Sequence, residues 1–259
     1  MSGDLPERII LITGAANGIG RAVARQLAAE GAKIALADLD GEGVRRIAAE
    51  LGPPERYLPL DIDVTDPASV ERAVGEAMAH FGRLDGLVNA AGGMSGLGHP
   101  HRRTLEELPL EEWDQAFALN VRSVFLCARA AVPAMRAAGG GAIVSIASSA
   151  AQNGSTTAGP AYVASKAAII GLTRNLGILL APDKIRANAV APGGTESERF
   201  LAVMAQRTPE QRERGARNIP LGRNARPEEI AATIVFLLGE GASYITGTTV
   251  DVNGGVFVG

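Results

Sequence analysis

Thr13-Gly-Ala-Ala-Asn-Gly-Ile-Gly20 follows the apolar run Arg8-Ile-Ile-Leu-Ile-Thr13 and leads into a stretch where Ile19, Val23, Gln26, Leu27 and Glu30 mark successive helical turns. A glycine-rich turn between a strand and a helix has a physical use. Glycines let the backbone turn tightly and approach a pyrophosphate, while the helix N-terminus offers free N–H groups and the positive end of its dipole. Such a turn means little alone. It gains meaning from its place between the first strand and first helix of an alternating chain.

Working outward, the alternation continues to the C-terminus. Strand-like runs lie at Lys33–Ala37, Arg56–Leu60, Leu84–Asn89, Gly141–Ala147, Ile185–Val190 and Thr248–Val252. A short helix reaches about Leu51. Asp66 caps another and Pro67 opens it; there Val70, Ala73, Val74, Ala77, Met78 and Phe81 recur at i, i+3, i+4 spacing. Helical stretches cover roughly Leu110–Ala138 and Ala161–Leu180, and Pro227 opens the last helix. Glu196–Pro220 reads as polar and irregular. Strands alternating with helices require right-handed crossovers, and the continuous apolar strands suit a sheet covered on both faces. The expectation is an α/β, Rossmann-type doubly wound parallel sheet of about seven strands, forming a single domain over 1–259.

Composition narrows the function. Of 259 residues 46% are hydrophobic and only 4% aromatic, so the core must be aliphatic. The net charge of −3 and the lack of a long basic run argue against nucleic acid. No apolar run approaches 18 residues and Met1–Arg8 has no signal-peptide pattern, so no membrane association is expected. The single cysteine, Cys127, cannot form an intrachain disulfide and reads as buried in a helix. These features point to the cytoplasm, and nothing calls for a metal.

The spacing Gly14-x3-Gly18-x-Gly20 departs from G-x-G-x-x-G and resembles the T-G-x3-G-x-G turn of the short-chain dehydrogenase/reductase family. Other motifs follow in that family's order over nearly the whole chain. The resemblance implies NAD(P) held by Gly14, Asn17, Gly18, Ile19 and Gly20. Asp38 ends the second strand, 18 residues after Gly20, where a carboxylate reaches the adenosine ribose 2′-OH and repels a 2′-phosphate. Asn17 is neutral where NADP-preferring relatives often carry Arg or Lys. Both favour NAD. Asp63-Val64 is similar to the adenine-contacting pair, and Asn89-Ala90-Ala-Gly92 to the N-A-G motif of the cofactor floor. Pro192-Gly193-Gly-Thr195-Glu-Ser197 resembles the P-G motif whose later residues bind the carboxamide. There Thr195 replaces Ile or Val, and Ser197 replaces Thr.

Tyr162-Val-Ala-Ser-Lys166 puts a phenol and an ammonium on one helix face. Tyrosine titrates near ~10, and a nearby cation favours the phenolate. The resemblance implies that Tyr162 is the catalytic acid/base and that Lys166 tunes it and holds the nicotinamide ribose. Aligned on the strand Ile143–Ala147, Ser148 takes the catalytic serine's place; counting back 13 residues from Tyr162 lands instead on Ser149. Strand register favours Ser148. Asn120, in Asn120-Val-Arg-Ser, would be the fourth member, its backbone carbonyl positioning a water beside the lysine.

The implied activity is hydride transfer between NAD and a secondary alcohol or ketone. The competing classes are a nicotinamide-retaining epimerase or dehydratase and an NAD-binding sensor. The first usually carries an added substrate domain, and the second tends to lose the tyrosine or lysine. Residues 196–220 should form a substrate lid. Gln152, Asn153, Ser155, Thr156 and Thr157 hint at a polyol, sugar or hydroxy acid, and His99, His101, Arg102 or Arg103 of the 93–104 loop could grip a carboxylate. The family's usual homotetramer is the expected assembly.

Overall fold

A computed structural model describes residues 5–94, 105–155 and 158–259, with the backbone alone at 209 and 213–215. Its strands are β1 Ile9–Thr13, β2 Lys33–Asp38, β3 Tyr57–Asp61, β4 Gly86–Asn89, β5 Gly141–Ile146, β6 Ile185–Pro192 and β7 Thr249–Val252. They form one seven-stranded sheet in the order β3-β2-β1-β4-β5-β6-β7, and every adjacent pair is parallel. The order reverses between β1 and β4. That reversal opens a crevice at the strands' C-terminal ends, where doubly wound folds bind ligands.

The helices are α1 Gly18–Ala29, α2 Gly41–Leu51, α3 Pro67–Phe81, α4 Leu110–Phe117, α5 Ser123–Ala137, α6 Ala150–Asn153, α7 Pro160–Leu179, α8 Glu198–Ala205, α9 Pro209–Arg217 and α10 Pro227–Leu238. Side-chain alternation along β1 sorts them onto two faces. Ile10 and Ile12 pack in the cluster that holds Val23 and Leu27 of α1, Val44 and Ile47 of α2, and Ile230 and Ile234 of α10. Ile9 and Leu11 belong to the opposite cluster, with Val70 and Val74 of α3 and Leu126 and Met135 of α5. All five residues of β1 are buried, as double coverage demands.

Local chemistry sets the element ends. The Asp66 carboxylate accepts the Ala68 and Ser69 N–H groups, both at 3.2 Å, which satisfies the first turn of α3 behind Pro67. The expected long helix runs from Leu110 to Ala137, with a π-helical turn at Ala118–Arg122 between α4 and α5. By length and composition this helix could cross a membrane, but half of its apolar window is buried inside the fold. It is a core helix here, packed on the sheet and on α3.

One reading is corrected. Glu196–Pro220 is not irregular: it carries α8 and α9. The Ser197 hydroxyl accepts the Phe200 N–H at 3.3 Å and caps α8. Phe200, Val203 and Met204 of α8 are half-buried at helical spacing. The many charges in this stretch masked that periodicity.

Candidate active site

The glycine-rich turn lies where β1 meets α1. Gly14 has φ +71°, and a Cβ there would stand 2.6 Å from the Ala91 backbone nitrogen, so the position admits only glycine. Asn17 precedes α1 in extended conformation and makes no side-chain cap bond. The Gly18 N–H instead donates to Glu198 Oε2 at 3.1 Å. A carboxylate accepts a backbone N–H at this helix start, as an anion does at a helix N-terminus. A pyrophosphate fits the chemistry of Gly14, Gly18, Ile19 and Gly20.

Asp38 ends β2 beside this cradle. Its Oδ2 accepts the Ala16 N–H at 3.0 Å, and its Oδ1 accepts the Asp40 N–H at 3.0 Å. Asp63 follows β3; its Oδ1 takes the Thr65 N–H and hydroxyl at 2.8 and 2.7 Å, and Val64 is buried. Asn89 is buried at the end of β4. Its amide donates to Ser145 Oγ at 3.1 Å, while its Oδ1 is buried without a hydrogen-bond partner. The Ala90 N–H donates to the Thr13 carbonyl at 3.2 Å, tying β4 to the cradle. Gly92 lies against Asn120 and Lys166.

Tyr162 and Lys166 occupy the first turns of α7, over the C-terminal end of β5. The Tyr162 hydroxyl is hydrogen-bonded to Ser148. Ser149 lines the same cavity, and its backbone N–H donates to the Pro192 carbonyl at 3.0 Å. Lys166 is buried, and its Nζ donates to the Ile146 carbonyl at 2.7 Å and sits 5.9 Å from the Tyr162 ring centroid. Burial, then repulsion from Arg199, lowers the lysine to about 8. Burial pushes the Tyr162 phenol up from its ordinary value, against the Ser148 hydrogen bond and the Arg199 charge, which pull it down. Arg199 is thus a second cation near Tyr162, beside the Lys166 that the sequence pointed to.

Asn120 lies in the π-helical turn and is wholly buried. Its Oδ1 accepts the Gly93 N–H at 2.8 Å, and its Nδ2 donates to the Gly93 carbonyl and to Ser165 Oγ, both at 3.0 Å. The side chain therefore fixes the end of β4 against α7. π turns recur at functional sites because they displace one helical residue from its regular register.

Beside Tyr162 is a cavity of about 590 Å³, lined by Met94, Ser148, Asn153, Ser155, Gly193 and Val256 among others. Thr195 is buried and its hydroxyl donates to the Gly193 carbonyl at 3.1 Å. His99, His101, Arg102, Arg103, Thr156 and Thr157 lie outside the described residues, as does most of the 93–104 loop. Two residues escaped the sequence reading. Glu198, paired with Arg21, reaches the cradle, and Arg199 donates to the Met94 carbonyl. Their signal was the capping serine followed by a glutamate in the first turn. Among the described residues no group of three or more His, Cys, Asp or Glu could hold a metal.

The chain matches the sequence family described as enoyl-(acyl carrier protein) reductase over residues 14–257. It is 38% identical to a sorbitol dehydrogenase of Cereibacter sphaeroides, covering 97% of this chain and 98% of that one. A Brucella melitensis crystal structure described as a short-chain dehydrogenase/reductase, glucose/ribitol dehydrogenase, superposes with a TM-score of 0.90 at 34% identity, covering 100% of both chains. A 3-ketoacyl-(acyl-carrier-protein) reductase from the same organism, complexed with NADH, gives a TM-score of 0.87 at 32% identity, covering 98% of this chain and 99% of that one.

Proposed function

The chain belongs to the short-chain dehydrogenase/reductase family and is an oxidoreductase acting on CH–OH groups, and on that premise we propose that it moves a hydride between NAD and a hydroxylated secondary alcohol or its ketone, with Tyr162 as acid/base. One observation carries the reading: the Tyr162 hydroxyl meets Ser148 at the wall of a cavity, one helical turn from Lys166.

The geometry supports the following roles. Ser148 holds the substrate oxygen toward Tyr162. Tyr162 takes the hydroxyl proton in oxidation and returns it in reduction. The chemistry that a bound nicotinamide supplies is uptake or return of the hydride at the carbinol carbon. Gly14, Gly18, Ile19 and Gly20 would hold the pyrophosphate, with Asn17 at the helix entry. Asn89, Ala90 and Gly92 would form the floor, and Asp63 and Val64 would serve the adenine. Pro192, Gly193, Thr195 and Ser197 would serve the nicotinamide end. Asn120 locks the floor to α7, and Lys166 supplies charge next to the phenol and a donor for the ribose.

Asp38 supports NAD over NADP. Asp38-Leu39-Asp40 presents two carboxylates and no cation, so a 2′-phosphate would meet repulsion while a ribose diol would find acceptors. The hydroxyls of Ser148, Ser149 and Ser155 and the Asn153 amide in the cavity wall, together with the sorbitol dehydrogenase relative, support a polyol, sugar or hydroxy acid. Residues 196–220 act as the substrate lid through α8 and α9. The whole chain, 1–259, works as one domain. Exposed Trp113, Phe125, Ile178, Phe236 and Tyr244 support burial in a homotetramer, and the buried, unpaired Cys127 suits the cytoplasm.

The test is NADH formation across polyols, sugars, hydroxy acids and apolar secondary alcohols, with NAD and NADP in parallel. Turnover is expected with NAD, reduced at least ~10²-fold by Tyr162→Phe while NADH binding persists. Full activity in the Phe variant would remove Tyr162 from the chemistry, and turnover of bulky apolar alcohols alone would exclude the polar substrate class.

A further inference from the structure

Arg199, the second residue of α8, is half-buried. Its guanidinium lies against Gly93 and donates to the carbonyl of Met94, which lines the cavity beside Tyr162. Burial lowers its affinity for its proton, and it interacts electrostatically with both Tyr162 and Lys166. Two cations, Lys166 and Arg199, thus share one end of the site. Among the described residues no carboxylate pairs with Arg199, and none lines the cavity. The adjacent Glu198 is committed to Gly18 and Arg21.

A partly desolvated cation beside a second cation is unfavourable until an anion arrives. A guanidinium has more N–H donors than one carbonyl can use, and its planar fork matches a carboxylate. The remaining walls offer hydroxyls and amides from Ser148, Ser149, Asn153 and Ser155. An occupant that satisfies both features carries hydroxyls and one carboxylate.

We propose that Arg199 is a specificity-determining residue that pairs with the carboxylate of a hydroxy-acid substrate, or of the matching keto acid, while Ser148 and Tyr162 hold the reacting oxygen. This rests on the oxidoreductase reading above and deepens it. The grip comes from the lid helix, so substrate charge and lid closure are linked: an anion bound to Arg199 holds α8 down over the reacting carbon.

Matched pairs that differ only in one terminal group test this: gluconate against sorbitol, threonate against threitol, 3-hydroxybutyrate against butane-1,3-diol. The wild-type enzyme should favour the acid in kcat/KM for at least one pair. Arg199→Ala should lower that acid-to-alcohol ratio by about 10–100-fold, mostly through KM. Arg199→Lys should recover part of it, since lysine keeps the charge and loses the fork. A second readout needs no turnover: gluconate or 3-hydroxybutyrate should raise the unfolding temperature of the wild type and not of Arg199→Ala.

The outcomes separate the two readings. Turnover of the alcohols with no preference for acids, and no dependence of the ratio on Arg199, would overturn the proposal and leave the oxidoreductase reading standing. Arg199-dependent acid binding without turnover would support the proposal and count against the reading. Weakened NAD binding in Arg199→Ala, with the acid-to-alcohol ratio unmoved, would assign Arg199 to the cofactor and overturn the proposal.

Discussion

Glu198 Oε2 accepts the Gly18 N–H at 3.1 Å, so the first residue of α8 closes onto the first residue of α1. The contact joins the lid to the phosphate cradle, and the Arg21–Glu198 ion pair reinforces it. A carboxylate at this helix start occupies the kind of position a phosphate oxygen would take. A dinucleotide held at Gly18 as proposed would displace Glu198 and free Arg21. Glu198→Gln removes the competing charge and should tighten NAD binding about five- to tenfold, or about 1 kcal/mol, by calorimetric titration. Weaker binding in this variant would mean that Glu198 holds the cradle in shape instead of competing for it.

The neighbouring serines can be separated experimentally. Ser148 shares a hydrogen bond with Tyr162, whereas Ser149 commits its backbone N–H to Pro192. Ser148→Ala should lower kcat by about 10²-fold or more, as loss of a donor at a reacting oxygen does. Ser149→Ala should cost far less. The reverse ranking in steady-state kinetics would move the role to Ser149.

Cofactor preference can be read at Asp38. Asp38→Ser, combined with Leu39→Arg, replaces repulsion of a 2′-phosphate by attraction and should raise the NADP-to-NAD ratio of kcat/KM by about 10²-fold. Asp38 Oδ2 also takes the Ala16 N–H. Asp38→Ala alone should therefore weaken NAD by loosening the turn, before any gain for NADP. An unchanged ratio in the double variant would place the ribose elsewhere.

The frame of the fold was legible because it depends on local signals. Asp66-Pro67 declares the start of α3, and the apolar runs declare the strands through their double coverage. Lid helices α8 and α9 were not legible, since α8 is short with only a half-buried face and α9 is mostly charged, which leaves a faint period. At the site, Tyr162, Lys166, Ser148 and Asn120 were picked out by motif, and the structure brings them within one region. The Ser197 cap marks the helix start that carries Glu198 and Arg199 but not what they touch: each works through a partner more than 100 positions away, Gly18 or Met94. No spacing rule reaches that far. The direction of the Lys166 ammonium, toward Ile146 and not the phenol, is likewise a packing outcome.

That buried ammonium has a consequence for stability. Lys166 titrates at about 8 in the folded protein against an ordinary 10.5, because burial disfavours the charge and Arg199 adds repulsion. Between those values the unfolded chain binds more protons at this residue than the folded one, so stability rises as pH increases from about 8 toward 10.5. Below about 8 both forms are charged and the full cost of burial is present. The shift corresponds to roughly 3 kcal/mol. Lys166→Met removes the charge and that bond together. It should raise the unfolding temperature at pH 7 by several degrees, and the advantage should shrink as the pH approaches 10. Calorimetric melts of both proteins across this range measure it. A gain that stays constant with pH would come from packing alone, and a loss at pH 7 would mean that the Ile146 bond outweighs the burial cost.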